Sequence, residues 1–282
     1  RDSKFPKLEK LDDSLMSDIS SIRDGMNDVR IVLQIESWSS REFTNSDGEK
    51  KVVRSGDVLD PSGKSRLTCW CEFEGEIGSF IELKNARVQS WMGSPDLVVD
   101  NIEQITVLDE APWENIDPNS HWVEVGLVEL ASGGSRRGVT TKGSIVSVKE
   151  DCGIIERCPE CRRVLRDGSC SEHGAQRGVE DLRIRLIVDN GLANASLVMA
   201  REPSEDFLEA KMEDVAMQIS ARGSGEFVSD IRNRLLGQEV SIWGRAMIDQ
   251  QGAMIVCEKL EVVETEAEEY AEEIMSRWGV SL

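Results

Sequence analysis

The chain has 282 residues, 39% of them apolar, and a formal net charge of −20. That length suits two ordinary domains of ~100–200 residues each. No apolar run reaches the ~18–20 residues that a membrane helix needs, and the opening Arg1-Asp2-Ser3-Lys4, with no initiator Met, reads as a processed start and not as a secretory signal. Seven Cys is an odd number, and three of them share sixteen residues with a His, which favours a cytosolic metal protein over a secreted disulfide framework.

The acid is unevenly spread. Residues 258–273 hold eight Glu and one Lys, whereas residues 157–185 hold seven Arg against five acids and residues 41–66 hold six cations against five acids. Whole-chain acidity argues against a polyanionic partner and equally suits a salt-rich cytoplasm or plain solubility. The two near-neutral stretches leave room for a local binding surface.

Residues 12–26 have the period of a short amphipathic helix. From 29 to 38 the chain alternates, with Val29, Ile31, Leu33 and Ile35 on one face and Arg30, Gln34, Glu36 and Trp38 on the other. Residues 51–59 read as a second strand, bulged at Gly56, and Asp60-Pro61-Ser62-Gly63 as a tight turn. Strands at 66–73, 79–91 and 99–109 follow, the fourth irregular near Lys84 and Asn85. Five strands with no βαβ pattern predict a small closed barrel within residues 1–111, with 112–120 as linker.

A second block, 121–263, repeats the plan. Val123, Val125 and Leu127 share one face of a strand that 138–149 continues. A Cys/His insertion spans about 150–178. The alternation then resumes with Leu182, Ile184, Leu186 and Val188 inward and Arg183 and Arg185 outward. A strand at 194–200, helical stretches at 204–220 and 226–236, and strands at 239–247 and 253–263 complete it. Residues 264–282 return to a helical period, with Tyr270, Ile274 and Trp278 on one stripe that suits subunit association.

Cys158-Pro159-Glu160-Cys161, eight residues, then Cys170-Ser171-Glu172-His173 is the spacing of two metal knuckles. Zinc prefers four soft or borderline ligands in a tetrahedron, and Gly168 and Gly174 supply the backbone freedom of tight knuckle turns. With Cys158, Cys161, Cys170 and His173 filling all four positions, one structural Zn2+ is predicted. A CxxC redox pair is the alternative, but it belongs at a helix start beside a βαβ unit, and this motif lies between strands. Cys152 reads as a buried small residue outside the knuckle.

In 66–73, Leu67, Cys69, Cys71 and Phe73 point inward while Arg66, Thr68, Trp70 and Glu72 point outward. The same parity puts Trp38 outside, and Arg87, Gln89 and Trp91 outside the fourth strand. Aromatic platforms beside cations are what a nucleic-acid single strand needs, since bases stack on rings and cations meet phosphates. Arg41, Lys50, Lys51, Arg54 and Lys64 are placed in hairpin loops that could clamp a backbone. In the second block Arg183, Arg185, Trp243 and Arg245 share the outward parity, and Arg162, Arg163 and Arg166 lie in the Cys/His insertion. That surface depends more on charge than on stacking.

The segments Ser55-Gly56-Asp57-Val58-Leu59-Asp60, Ser62-Gly63, Leu67-Thr68-Cys69-Trp70, 153–161, Gly168-Ser169-Cys170, His173-Gly174 and 179–184 resemble the archaeal homologues of the replication protein A large subunit, and the resemblance runs from about residue 15 to 263. It implies a mainly β chain of two OB-fold barrels, the second carrying a zinc-ribbon insertion, and a C-terminal helix that packs with other subunits of such a complex. It also implies single-stranded DNA as ligand, with Trp70 and Trp91 at the family's aromatic positions, and work in replication, repair and recombination in the cytoplasm at the nucleoid. RNA binding and a protein-interaction scaffold are the competing readings. An enzyme is not indicated, because no Gly-rich phosphate loop and no nucleophile paired with a base is present.

Overall fold

The computed structural model describes residues 16–44, 50–91, 94–110, 112–133, 136–249, 252–263 and Met275. The chain divides into two compact units, Arg1–Val123 with Ser135–Val139, and Glu124–Gly134 with Thr140–Leu282.

In the first unit the strands are β1 (Val29–Ile35), β2 (Ser39–Thr44), β3 (Lys50–Asp60), β4 (Gly63–Cys69), β5 (Phe80–Trp91), β6 (Ser94–Val99) and β7 (Ile105–Leu108). Pairing runs β1–β3–β4–β6–β5 and returns to β1, a closed five-stranded barrel in which β4–β6 is the one parallel pair. The alternating apolar residues fill it. Ile31, Leu33, Ile35, Leu67, Ile81, Leu83 and Leu97 are all fully buried, each contributing about 1.5–3 kcal/mol by leaving water.

Several expectations change. Residues 16–26 form turns and no helix, while 1–15 lie outside the described residues. Asp18 explains this locally, because its carboxylate accepts the Ser21 N–H (2.8 Å) and the Ser20 hydroxyl (2.7 Å), and such bonds compete with helix. Ile19 and Ile22 still reach the core. The barrel's fifth strand is β6, and the predicted strand 99–109 supplies only β7, which pairs with β5. The predicted strand 66–73 ends at Cys69, with Phe73 still buried.

The bulge expected at Gly56 sits on the facing segment, between β1 and β2. Ile35 faces Val58, but Ser39 faces Ser55, so three residues (36–38) stand across from two. The N–H groups of Glu36 and Ser37 both reach the Asp57 carbonyl (2.9 and 3.1 Å). The irregularity near Asn85 is present, with φ at +55° and a register shift between Val29 and Ile31. The Asp60–Gly63 turn closes as read, its Asp60 carboxylate accepting the Ser62 N–H at 2.7 Å. Linker residues also have fixed partners in this unit. Gln34 exchanges hydrogen bonds with Ile116 (2.8 and 2.9 Å), and His121 Nε2 lies 2.8 Å from the Asp60 carbonyl.

The second unit follows the two-residue β8 (Val123–Glu124). It contains α1 (Leu127–Gly133), β9 (Arg136–Val148) from Thr140 onward, β10 (Gly153–Arg157), β11 (Ser169–Cys170), β12 (Gly174–Ala175), β13 (Val179–Asp189), β14 (Asn194–Met199), α2 (Arg201–Leu208), α3 (Met212–Arg222), α4 (Ser224–Leu235), β15 (Glu239–Asp249) and β16 (Gly252–Val262). The predicted strand through Leu127 is replaced by α1, with Leu127 and Leu130 buried. The helical stretch 204–220 is two helices, broken where Glu209 turns left-handed (φ +53°). Pairing runs β9–β13–β14–β16–β15 and back to β9, again with one parallel pair, β14–β16. The protein is therefore mainly β, with two five-stranded barrels of the same OB topology. The Cys/His insertion lies between the first two strands of the second barrel. The predicted C-terminal helix and its Tyr270, Ile274 and Trp278 lie outside the described residues.

Candidate metal centre and nucleic-acid face

The insertion is built from tight turns. β10 extends the wall of the second barrel by pairing with β13, from Gly153 opposite Arg183 to Arg157 opposite Val179. Beyond it, the Cys158 carbonyl accepts the Arg162 N–H (2.9 Å) with Arg162 at φ +63°, which closes the first knuckle. Gly168 and Gly174 take φ of +71° and +67°, and Cys170 pairs with Gly174 in the β11–β12 hairpin that forms the second. Arg157 is paired with Asp181, tying the knuckle to β13.

These turns gather Cys158, Cys161, Cys170 and His173, whose ligand atoms all lie within 4.8 Å of one another. Cys158 Sγ is 3.5 Å from His173 Nδ1, and Cys161 Sγ is 3.5 Å from Cys170 Sγ. Ligands around one tetrahedral zinc stand about 3.5–3.8 Å apart, given Zn–S of ~2.3 Å, so the residues fit that ion. The backbone N–H groups of Glu172 and His173 pull the Cys170 thiol down to about 6, towards the thiolate that a metal needs. The Cys170 sulfur in turn raises the His173 imidazole. Glu160 Oε2 stands 3.5 Å from the other ring nitrogen of His173, the place where a carboxylate orients a metal-binding imidazole. Glu160 lies within the first knuckle, so its role could have been suspected from position. Cys152 is buried outside the cluster, donating to the Arg185 carbonyl at 3.3 Å.

The expected nucleic-acid face is only partly assembled. Trp70 follows β4 and is 45% exposed, and its backbone N–H donates to the Val99 carbonyl (2.9 Å). Trp38 does not join it. The bulge at 36–38 resets the alternation, and Trp38 packs edge-on against Phe73 with ring centroids 5.4 Å apart. The side chain of Trp91 lies outside the described residues. Arg41, Lys50, Lys51, Arg54 and Lys64 are on strands and not in loops. Lys64 is held inward, 13% exposed, donating to the Pro118 carbonyl (2.6 Å) and lying 5.5 Å over the Trp122 ring.

The remaining arginines have fixed partners that the one-dimensional alternation could not show. Arg54 Nε lies 2.7 Å from Glu74, and Arg87 binds Asp100 through Nε and Nη2 at 3.1 and 2.8 Å. Arg66 donates to the Ser55 hydroxyl at 2.7 Å. In the second unit Arg183 and Arg185 share the Asp151 carboxylate at 2.7 and 2.8 Å, Arg183 being only 14% exposed. Trp243 is half-buried, and Lys259, its partner across β15–β16, lies 4.9 Å over the ring. Arg245, one strand position beyond Gly244, is also half-buried.

These observations define a class, a two-barrel OB-fold protein with a Cys3His cluster built into the second barrel. Within it, the chain is similar to Replication factor A of Methanothermobacter thermautotrophicus, 21% identical over 267 residues, 87% of this chain and 33% of that relative. The chain thus spans about a third of the length of the curated relative it matches. Among solved structures it is similar to a replication protein A heterotrimer bound to single-stranded DNA (11% identity, 93% of this chain and 70% of that one, TM-score 0.37). It is also similar to the second OB-fold domain of replication protein A from Methanococcus maripaludis (24% identity, 34% of this chain and 98% of that one, TM-score 0.30). No family model matches the chain. The resemblance to archaeal replication protein A read from the residues is borne out by the curated relative.

Proposed function

We propose that this chain binds single-stranded DNA without sequence preference and without chemistry of its own, as part of a replication protein A-like assembly. The observation that carries the reading is Trp70, an exposed indole just beyond the end of β4, the barrel strand that also carries the half-exposed Arg66. Base–aromatic stacking supplies about 1–3 kcal/mol per base and tolerates any sequence. The similarity to Replication factor A over most of the chain supports the same reading. In this proposal Cys158, Cys161, Cys170 and His173 hold one structural Zn2+ that folds the insertion. Arg66 meets phosphate in the first unit, and Arg183, Arg185 and Arg245 do so in the second, with Trp243 beside them. Arg41 and Trp91 belong to the same surface. Residues 264–282 would join other subunits or a second copy. Work in replication, repair and recombination at the nucleoid belongs to the same proposal.

Titration of Trp emission with oligo(dT) of increasing length tests the ligand and the footprint together. Quenching with a mobility shift is expected, and unquenched emission at low salt with no shift overturns the reading. Matched RNA oligomers as competitors separate the two nucleic acids. Sedimentation with and without residues 264–282 tests assembly, a lower mass on deletion being expected.

A further inference from the structure

We propose that Gln34 and Arg137 are positioning residues for a strand that engages both units, because they hold the connecting chain on the first barrel and leave almost no free tether. The inference rests on reading the chain as a single-strand binder that uses both units.

Gln34 carries the first hold. Leu33 and Ile35 fill the barrel, so Gln34 between them points out of it, yet it is only 1% exposed. Its partners in register, Leu59 on β3 and Phe80 on β5, are buried on the same side. The linker lies on this face. Gln34 Nε2 donates to Asn115 Oδ1 (2.7 Å) and to the Ile116 carbonyl (2.8 Å), and Gln34 Oε1 accepts the Ile116 N–H (2.9 Å). One side-chain amide thus reads two linker residues, with its donors and its acceptor all engaged. On one side of this clasp Trp113 packs edge-on against Phe80, with ring centroids 5.5 Å apart. On the other, Lys64 Nζ donates to the Pro118 carbonyl (2.6 Å), and His121 Nε2 meets the Asp60 carbonyl (2.8 Å). The stretch 113–121, read from the sequence as mostly linker, is a strap fixed at its ends and its middle.

The second hold is at the start of β9. Ser135–Val139 belongs to the first unit. There Arg137 stands opposite Lys64 on β4, and its Nη2 lies 3.4 Å from the buried carboxylate of Asp96.

The consequence is a matter of chain length. With the strap in place the chain is held as far as Trp122, whose ring lies 5.5 Å from Lys64 Nζ, and the second unit begins at Glu124. With both holds lost, free chain runs from the end of β7 at Leu108 to Glu124, and a flexible stretch of that length spans about 20 Å. The effective concentration at which a strand seated on one unit meets the other falls roughly as the −3/2 power of tether length. Either hold by itself keeps the tether short, so the loss appears only when both are removed.

The test uses the full chain and labelled oligo(dT) of two lengths, about 8 nucleotides for one barrel and about 24 for two, read by anisotropy. The variants are Gln34→Ala, Arg137→Met and their combination, with limited proteolysis within 112–122 reporting on the strap. Gln34→Ala is expected to open the strap to cleavage. The combination should bind the long oligomer about three- to tenfold more weakly, each single variant should stay within about twofold of wild type, and all should match wild type on the short oligomer. A merely structural role would weaken both lengths together. Trp113→Ala with Asn115→Ala loosens the strap from the linker side and leaves the barrel's own residues in place. Combined with Arg137→Met, it should reproduce the loss confined to the long oligomer. Wild-type affinity for the long oligomer in both combinations, equal loss on both lengths in the linker-side one, or a strap as protected in Gln34→Ala as in wild type overturns this inference alone. Wild-type protein that binds neither oligomer removes the single-strand reading, and this inference with it.

Discussion

The carbonyl oxygen of Ser37 lies 1.8 Å from the point where a Cβ on Gly56 would stand, and Trp38 Cε3 lies 2.7 Å from it. Backbone cannot yield as a flexible side chain can, so Gly56 is required by close approach, at a φ that any residue could adopt. The bulge at 36–38 presses onto that bare Cα and turns Trp38 towards Phe73.

Gly56→Ala should therefore destabilise the first barrel by about 1–3 kcal/mol, the usual range for overpacking. Urea unfolding followed by Trp emission measures this. A stability equal to wild type would show that the bulge can move away without loss.

Trp38, within this bulge, and Trp70, beyond the end of β4, should part company. Trp70→Ala is expected to leave the midpoint of unfolding near wild type and to weaken oligo(dT) binding by about 1–3 kcal/mol. Trp38→Ala should do the reverse, losing about 2–3 kcal/mol of stability, below the ~3–5 of a fully buried aromatic. Paired thermal melts and titrations on both variants check it.

Metal removal should separate the barrels. Structural zinc in such knuckles contributes its binding energy directly to folding, so a chelator is expected to unfold the insertion and loosen the second barrel. Five of the seven Trp lie within residues 1–123, and their emission should change little. Circular dichroism and limited proteolysis report on the second barrel, and Cys170→Ser should reproduce the chelated state.

Glu205 gives a pH dependence. It is buried and accepts from Lys211 (2.9 Å), Arg201 (2.8 Å) and the Met212 N–H (3.1 Å), the two cations holding its carboxyl down at about 2. The folded pKa lies below the ordinary 4.5, so the stabilisation is present above pH 4.5 and is lost as pH falls towards 2. Glu205→Gln should lower stability at pH 7 and flatten the acid limb between those values, measured by denaturant midpoints across the range.

Much of this was legible in one dimension because the relevant physics is local. Period-two alternation puts Ile31, Leu33 and Ile35 inside a barrel, and CxxC–x8–CxxH spacing brings three thiols and an imidazole into one cluster whatever surrounds it. The repeat of five strands in each unit, and the place of the insertion between the first two strands of the second, follow from the same patterns. Alternation fails wherever one residue is added. Three residues opposite two at 36–38 turned Trp38 from a stacking platform into core, and Asp18 and Ser21 converted a helical period into turns.

What only the tertiary structure decided is which charges meet. Arg54 and Glu74 are twenty residues apart and Arg183 and Asp151 are thirty-two, distances over which no periodicity carries information. Ion pairing depends on the closing of the barrel, which brings strand ends and loops of remote sequence together. The sequence by itself determined two barrels, a metal knuckle and an outward Trp70. The closed sheets decided that Arg54, Arg87, Arg183 and Arg185 are already held by carboxylates.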